Sequence, residues 1–249
     1  KLLGRCNYGM GNNAFTPASG NLNSFALVNG TAEIKENIFI PLQRNPDSGG
    51  SNYNINETAM LWVNGGEVTK GFAGTREAIV VYGGVKVSAG TINAFCRSGF
   101  TMRGNGLLEV ENTGVVNTNQ IRTSVLGPEN IGGVVINGGQ VFVAGNLTGG
   151  VQGEYYTFSL TYPGNLFRMT GGELHVKGPA NRGLIFIKSD PQNTSVSGGT
   201  VFLDVSNTNT NGHKISSRAA FWNLNITRSS TSSTNRPLVV SGGSSGTGT

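Results

Sequence analysis

Residues 134–143 read Val-Val-Ile-Asn-Gly-Gly-Gln-Val-Phe-Val, and this stretch contains the pattern that decides the fold. Two segments of alternating apolar residues flank an Asn-Gly-Gly corner, so each predicts a short β-strand with one buried face. The arrangement recurs at residues 167–176, Phe-Arg-Met-Thr-Gly-Gly-Glu-Leu-His-Val. Because Asn-Gly also favours the tight turn of a β-hairpin, the corner alone leaves two architectures open: a hairpin meander, or a bend between two strands of a solenoid.

The spacing of the motif separates these two architectures. A glycine followed by alternating apolar residues occurs seven times, beginning at Gly30, Gly66, Gly83, Gly106, Gly139, Gly172 and Gly199. The intervals are 36, 17, 23, 33, 33 and 27 residues. Hairpin meanders place turn signals roughly every 8 to 12 residues, whereas one circuit of a parallel β-helix takes roughly 20 to 30. We therefore predict an all-β fold, a right-handed parallel β-helix (solenoid) with irregular coils of about 17–36 residues.

Composition agrees with a β-solenoid and bounds its extent. A chain of 249 residues with 37% hydrophobic content can bury a sizeable core. Its 39 glycines break every long helical period, which excludes an all-α bundle. We predict an N-terminal cap or link over residues 1–24, a β-helix domain over 25–243, and a linker or truncated coil over 244–249. No stretch of 18 apolar residues occurs, so we predict no membrane insertion.

Charge and cysteine content restrict the possible partners and cofactors. The net charge of +5 comes from 18 basic and 13 acidic residues, with no run of three Lys or Arg. Nucleic-acid binding requires a basic stripe, so we predict no nucleic-acid partner. Cys6 and Cys96 are too few and too far apart for a zinc site or a disulfide scaffold, and whether they pair is left open. We predict no metal and no cofactor.

The repeated Gly-Gly-x-Val-x-Val coils, together with Phe-Trp-Asn-Leu-Asn-Ile at residues 221–226, resemble a known group of proteins. They are similar to right-handed parallel β-helix segments of large secreted surface proteins, particularly repeat-rich adhesins exported by Bacteroidota. The resemblance covers roughly residues 25–243. It implies a cell-surface, extracellular location and a structural or adhesive role as part of a larger parent chain. The expected partners are other parts of that chain or neighbouring subunits at the solenoid ends, with glycans as further candidates.

Two other functions are compatible with a β-helix. Many β-helices are polysaccharide lyases or hydrolases, which require paired carboxylates or a base near an acidic cluster. The candidates for such chemistry are Asp47, Asp190 and Asp204, and a grouping of Arg182, Lys188 and Asp190 with His175 one coil away. A solvated surface explains these residues more simply, so we predict no catalytic residue and no enzyme. A trimeric viral or phage fibre or tailspike module is the other alternative.

The motif also predicts a binding surface. If the seven copies stack in phase, one buried column contains Val68, Val85, Leu108, Val141, Leu174 and Val201. Because strand side chains alternate between faces, the third residue after each motif glycine points outward, and these residues form one outward row. They are Glu33, Thr69, Lys86, Glu109, Phe142, His175 and Phe202. Exposed rings on adjacent coils can stack on sugars or pack against another chain, so Phe142, His175 and Phe202 are the predicted ligand-binding residues. Alternatively, the segment 146–165, which carries Tyr155, Tyr156 and Phe158, folds back and covers them.

Overall fold

The computed structural model describes residues 27–40, 52–70, 78–96, 98–123, 131–145, 156–177, 183–205, 213–227 and 238–242. These residues form eighteen β-strands and one 3₁₀ turn, Pro191–Asn193. The strands are β1 Leu27–Ile34, β2 Ile38–Ile40, β3 Tyr53–Lys70, β4 Ile79–Val81, β5 Gly84–Ala94, β6 Phe100–Met102, β7 Leu107–Val110, β8 Val115–Thr118, β9 Ile121–Thr123, β10 Gly133–Val143, β11 Tyr156–Leu160, β12 Leu166–Lys177, β13 Gly183–Ile187, β14 Thr194–Val196, β15 Thr200–Asp204, β16 His213–Ser217, β17 Asn223–Thr227 and β18 Leu238–Gly242.

All eighteen strands belong to one sheet, and every pairing between them is parallel. The sheet winds into a solenoid of about six turns. The predicted all-β parallel β-helix is therefore confirmed, and the hairpin meander is excluded for the described strands. The right-handed sense of the coil stays a prediction, and so does the division at residues 24 and 243.

The solenoid has three faces, which the chain visits in the same order in successive turns, except that residues 218–222, between β16 and β17, form no strand on face A. Face C contains residues 53–55 of β3 and strands β4, β6, β9, β11, β13, β16 and β18. Face A follows and contains β7, β14, most of β1, residues 59–63 of β3 and the first parts of β5, β10 and β12. Face B completes the turn with β2, β8, β15, β17 and the last parts of β3, β5, β10 and β12.

Alternating side chains fill the interior in columns that run along the solenoid axis. The six residues predicted to be buried are all at most 1% exposed. They occupy two columns, however, rather than the single one predicted. Val85 and Leu108 pair with each other on face A, whereas Val141, Leu174 and Val201 pair in succession on face B. Each turn buries its apolar side only against its neighbours, so stability accumulates along the axis.

The two columns explain the uneven spacing of the motif glycines. Gly83 lies just before a face A segment, whereas Gly66 and Gly139 lie just before face B segments. The 17 residues between Gly66 and Gly83 therefore lead from face B of one turn to face A of the next. Residues that pair between neighbouring turns are 21 to 37 positions apart, from Ile79 with Phe100 to Ile121 with Phe158. This spread is close to the predicted one, although the motif intervals are not themselves coil lengths.

The corner between faces A and B requires glycine because neighbouring backbones approach closely there. Gly139 and Gly172 have φ angles of +66° and +73°, which side chains rarely tolerate. A Cβ atom on Gly139 would lie 2.2 Å from the carbonyl oxygen of Gly114 in the preceding turn. The Gly-Gly signature of the sequence is thus a consequence of stacking at this corner.

The first and last described strands of face B differ in exposure. Ile38 and Ile40 of β2 are buried. Leu224 and Ile226 of β17 occupy the same interior columns but are 43% and 46% exposed, and Trp222 beside them is 63% exposed. Interior apolar positions at this end of the described solenoid are therefore accessible to solvent.

Candidate functional site

The outward row of face B contains the three predicted ligand-binding residues. In the register of the sheet, Asn117 pairs with Phe142, which pairs with His175, which pairs with Phe202. The prediction that Glu33, Lys86 and Glu109 share this row is wrong. These three lie on face A, where Lys86 pairs with Glu109. The physical reason is that the glycine motif precedes strand segments on two different faces, A and B.

Phe142, His175 and Phe202 form a continuous stack, which we name the aromatic ladder. The ring centroids of Phe142 and His175 are 4.5 Å apart with an interplanar angle of 24°. Those of His175 and Phe202 are 4.4 Å apart at 8°. All three side chains are partly exposed. The structure brings the predicted residues together in one row, and their role in ligand binding stays a prediction.

A carboxylate beside the aromatic ladder holds the imidazole in place. The Nε2 atom of His175 lies 2.8 Å from Oε2 of Glu173, and the Gln140 amide donates a second hydrogen bond of 2.8 Å to the same oxygen. These two hydrogen bonds, with that of His175 the larger cause, hold the pKa of Glu173 below its usual value. Since the carboxylate is the acceptor, the Nε2–H of His175 is the donor. The central ring of the ladder is therefore fixed by stacking on two sides and by a hydrogen bond at its edge.

The same outward row continues as a polar ladder toward the N-terminal end. The Asn117 amide donates to Oδ1 of Asn93 at 2.8 Å, and the Asn93 amide donates to Oε1 of Glu67 at 2.8 Å. Thr69 donates its hydroxyl proton to the same Glu67 oxygen. Repeated amides in register satisfy each other between turns, as in other parallel in-register sheets. Face B therefore presents aromatic side chains next to polar ones that are already hydrogen-bonded.

The alternative that Tyr156 and Phe158 cover the aromatic ladder is wrong for these two residues. Both belong to β11 on face C, where Phe158 is buried and packs edge-on against Phe167 at 5.9 Å. The Tyr156 ring stacks on Phe186 of the next turn at 5.0 Å. Residues 146–155 of this segment, including Tyr155, lie outside the described residues.

The residues considered for catalysis do not converge in the described part of the chain. Asp190 follows β13 of face C and accepts a 2.9 Å hydrogen bond from Arg218. His175 lies on a different face, in the aromatic ladder of face B. Asp204 occupies an outward position, as predicted, with Oδ2 3.9 Å from Nζ of Lys177. Asp47 and Arg182 lie outside the described residues. Among the residues that the structure does describe, no group of three His, Cys, Asp or Glu side chains could hold a metal ion.

Sequence reasoning missed a groove on face A with a volume of about 510 Å³. Its floor is formed where the turn containing β10 carries small outward residues. Gly133 pairs with Leu107 on one side and Leu166 on the other, and Val135 lies between Glu109 and Arg168 in the same way. The larger side chains of the two flanking turns therefore stand as walls on either side of a low central turn. Only the register places these residues side by side, so no local sequence signal could have revealed the groove.

Comparisons with protein-family models, with curated proteins and with solved structures find no match to this chain. Within the described residues, no helix has the length and apolar character needed to span a membrane. Cys96 is buried, and its thiol donates to the carbonyl oxygen of Gly99 at 3.5 Å, whereas Cys6 lies outside the described residues.

Proposed function

We propose that this chain is a structural and adhesive β-solenoid module of an exported cell-surface protein, similar to the repeat-rich adhesins of Bacteroidota. The observation that carries this proposal is the aromatic ladder, three partly exposed rings held in register on a rigid face. Partly exposed aromatic clusters are enriched at protein–protein interfaces because they contribute large contact area with little loss of side-chain entropy.

The geometry of the ladder favours a protein partner over a stacked sugar. The rings lie nearly parallel and face one another along the solenoid axis, so each covers the faces of its neighbours. A sugar packs on a ring face, and the outer faces of Phe142 and Phe202 are the only ones that the stack leaves uncovered. The outward edges instead form an apolar ridge that a complementary protein surface can cover.

For the other proposed partners, further parts of the parent chain or neighbouring subunits, we propose binding at the solenoid end near β17. The interior positions Leu224 and Ile226 are about half exposed there, and apolar groups in such positions gain stability when another coil stacks on them. A further coil, from the parent chain or from a neighbouring subunit, could stack on β17 and continue the parallel register of face B.

A binding assay with matched variants tests the adhesive role. The chain would be immobilised and exposed to fibronectin, fibrinogen, collagen and a glycan array. The wild type should bind at least one of the proteins, and the double variant Phe142→Ser, Phe202→Ser should lose that binding. Asn225→Ser is the matched control, because Asn225 lies in the same outward row next to Phe202 but outside the ladder.

The outcomes distinguish the competing functions. Equal binding by the wild type and the double variant would remove the ladder as an attachment surface. Release of sugars from the glycan panel would favour the polysaccharide-degrading enzyme. A stable homotrimer in solution, measured by light scattering, would favour the fibre or tailspike module.

A further inference from the structure

The groove on face A differs from the aromatic ladder in both charge and shape. One wall contains Arg168, whose side chain is exposed and has no hydrogen bond or ion pair with any described residue. The opposite wall contains Glu109, which is two turns away in the same outward row. With neighbouring strands about 4.8 Å apart, the two Cα atoms are about 10 Å apart across the groove.

The charges on the two walls are not equivalent. Oε2 of Glu109 lies 3.7 Å from Nζ of Lys86, and its other oxygen accepts a hydrogen bond from the Asn137 amide at 3.4 Å. Lys86 also pairs with Glu111 at 3.0 Å. The acidic wall is therefore already neutralised in part, whereas the guanidinium of Arg168 is available. An incoming ligand gains most by placing an anionic group on Arg168, because a planar guanidinium binds a carboxylate through two parallel hydrogen bonds.

The rest of the lining is suited to hydroxyl groups. Thr170, Gln192 and Ser195 are exposed around Arg168. Thr170 already donates its hydroxyl proton to Asn137 at 3.0 Å, and the Gln192 amide donates to Asp190 at 3.4 Å. Their oxygens therefore remain as acceptors for ligand hydroxyl groups, and the Ser195 hydroxyl can both donate and accept. The backbone groups of face A are used in pairing between turns, so an extended peptide could not add to this face as a strand. Recognition must come from side chains alone, which favours a ligand that carries many hydroxyl groups.

We propose that the groove on face A binds a carboxylated oligosaccharide, with a uronic-acid carboxylate on Arg168 and the sugar hydroxyls on the polar lining. The groove has a volume of about 510 Å³ and is open to solvent, so it accommodates a segment of an extended oligosaccharide lying along the surface rather than enclosing a small ligand. The carboxylate neutralises Arg168, and the apolar CH groups of a sugar ring pack on Val135 at the floor. This site is separate from the aromatic ladder and does not depend on the adhesive role proposed for face B.

Titration calorimetry with the whole chain tests the proposal. The probes are α-1,4-linked trigalacturonic acid, the neutral galactotriose of the same linkage, and a hexaglutamate peptide. Trigalacturonic acid should bind, and Arg168→Gln should weaken its binding about tenfold or more, since a charge-assisted bidentate pair is lost. Val135→Trp should abolish binding by filling the floor. Lys214→Gln is the matched control: it removes one positive charge from an exposed position on face C and should leave the affinity unchanged.

Several outcomes would overturn the assignment. They are failure of the wild type to bind trigalacturonic acid, equal affinity in the Arg168→Gln variant, and equal affinity for galactotriose. Stronger binding of hexaglutamate than of the sugar would show that the groove recognises acidic peptides instead. Arg168→Gln decides the test even if Val135→Trp fails to fold, because the Arg168 side chain is exposed and its removal leaves the core intact.

Discussion

Two identical substitutions in one interior column provide a direct test of the stacking that stabilises this solenoid. Leu174 is fully buried between Val141 and Val201 of the neighbouring turns. Leu224 pairs with Val201 in the same column but is 43% exposed. Replacing either residue with alanine removes the same atoms, so any difference in the loss of stability reports how completely each position is stacked.

The expected magnitudes follow from burial. Leu174→Ala loses the transfer free energy of its side chain and leaves a cavity that the rigid backbone cannot close, for a total of about 3 kcal/mol, within the usual range of roughly 2 to 5. Leu224→Ala loses only about half of the transfer term and leaves no enclosed cavity, so the expected loss is about 1 kcal/mol. Leu174→Asp should be more severe than either, because it buries an unpaired carboxylate.

Urea unfolding followed by far-UV circular dichroism measures the effect. The comparison requires that the dependence of the unfolding free energy on urea is the same in both variants, so that the midpoints report stability rather than a change in the surface exposed. Equal losses for Leu174→Ala and Leu224→Ala would refute the reasoning, because they would mean that burial in the column does not determine stability. A loss below about 1 kcal/mol for Leu174→Ala would contradict it as well.

Three further predictions concern the corners and the aromatic ladder. Gly139→Ala should destabilise the fold by several kcal/mol, because its Cβ atom would lie 2.2 Å from a backbone carbonyl oxygen. Gly30→Ala, at a residue with a similar φ but open space around it, should cost only about 1 kcal/mol. Thermal melting of both variants measures the difference. A double-mutant cycle on Phe142 and His175, measured by urea unfolding, should give a coupling energy of about 0.5–1.5 kcal/mol, and additive losses would contradict stacking. Because hydrogen bonds hold the pKa of Glu173 low, this carboxylate stabilises the fold at neutral pH, and the stabilisation is lost as the pH falls through the folded-state pKa. NMR titration should show a higher pKa of Glu173 in the His175→Ala variant than in the wild type. An unchanged pKa would rule out the hydrogen bond from His175 as the cause of the low value.

The sequence by itself determined the class of fold and the faces of its strands. Alternation in the segments around Val141 and Leu174 assigns those side chains to the interior and Phe142 and His175 to the exterior, because strand side chains alternate between two faces whatever the partner strand. The glycines at positions 139 and 172 mark a corner because only glycine combines a positive φ with such close backbone contact. These are local constraints, so they can be recognised in the sequence alone.

Only the tertiary structure decided which residues become neighbours. Val85 and Val141 follow the same motif but lie on faces A and B, because register depends on the length of the intervening segments and on pairing across whole turns. The aromatic ladder could be predicted because Phe142 and His175 both follow face B glycines. The groove could not, because the walls at Glu109 and Arg168 come from turns on either side of a third one. Side chains about 59 positions apart in the chain meet across such a groove only after every turn between them has been stacked in place.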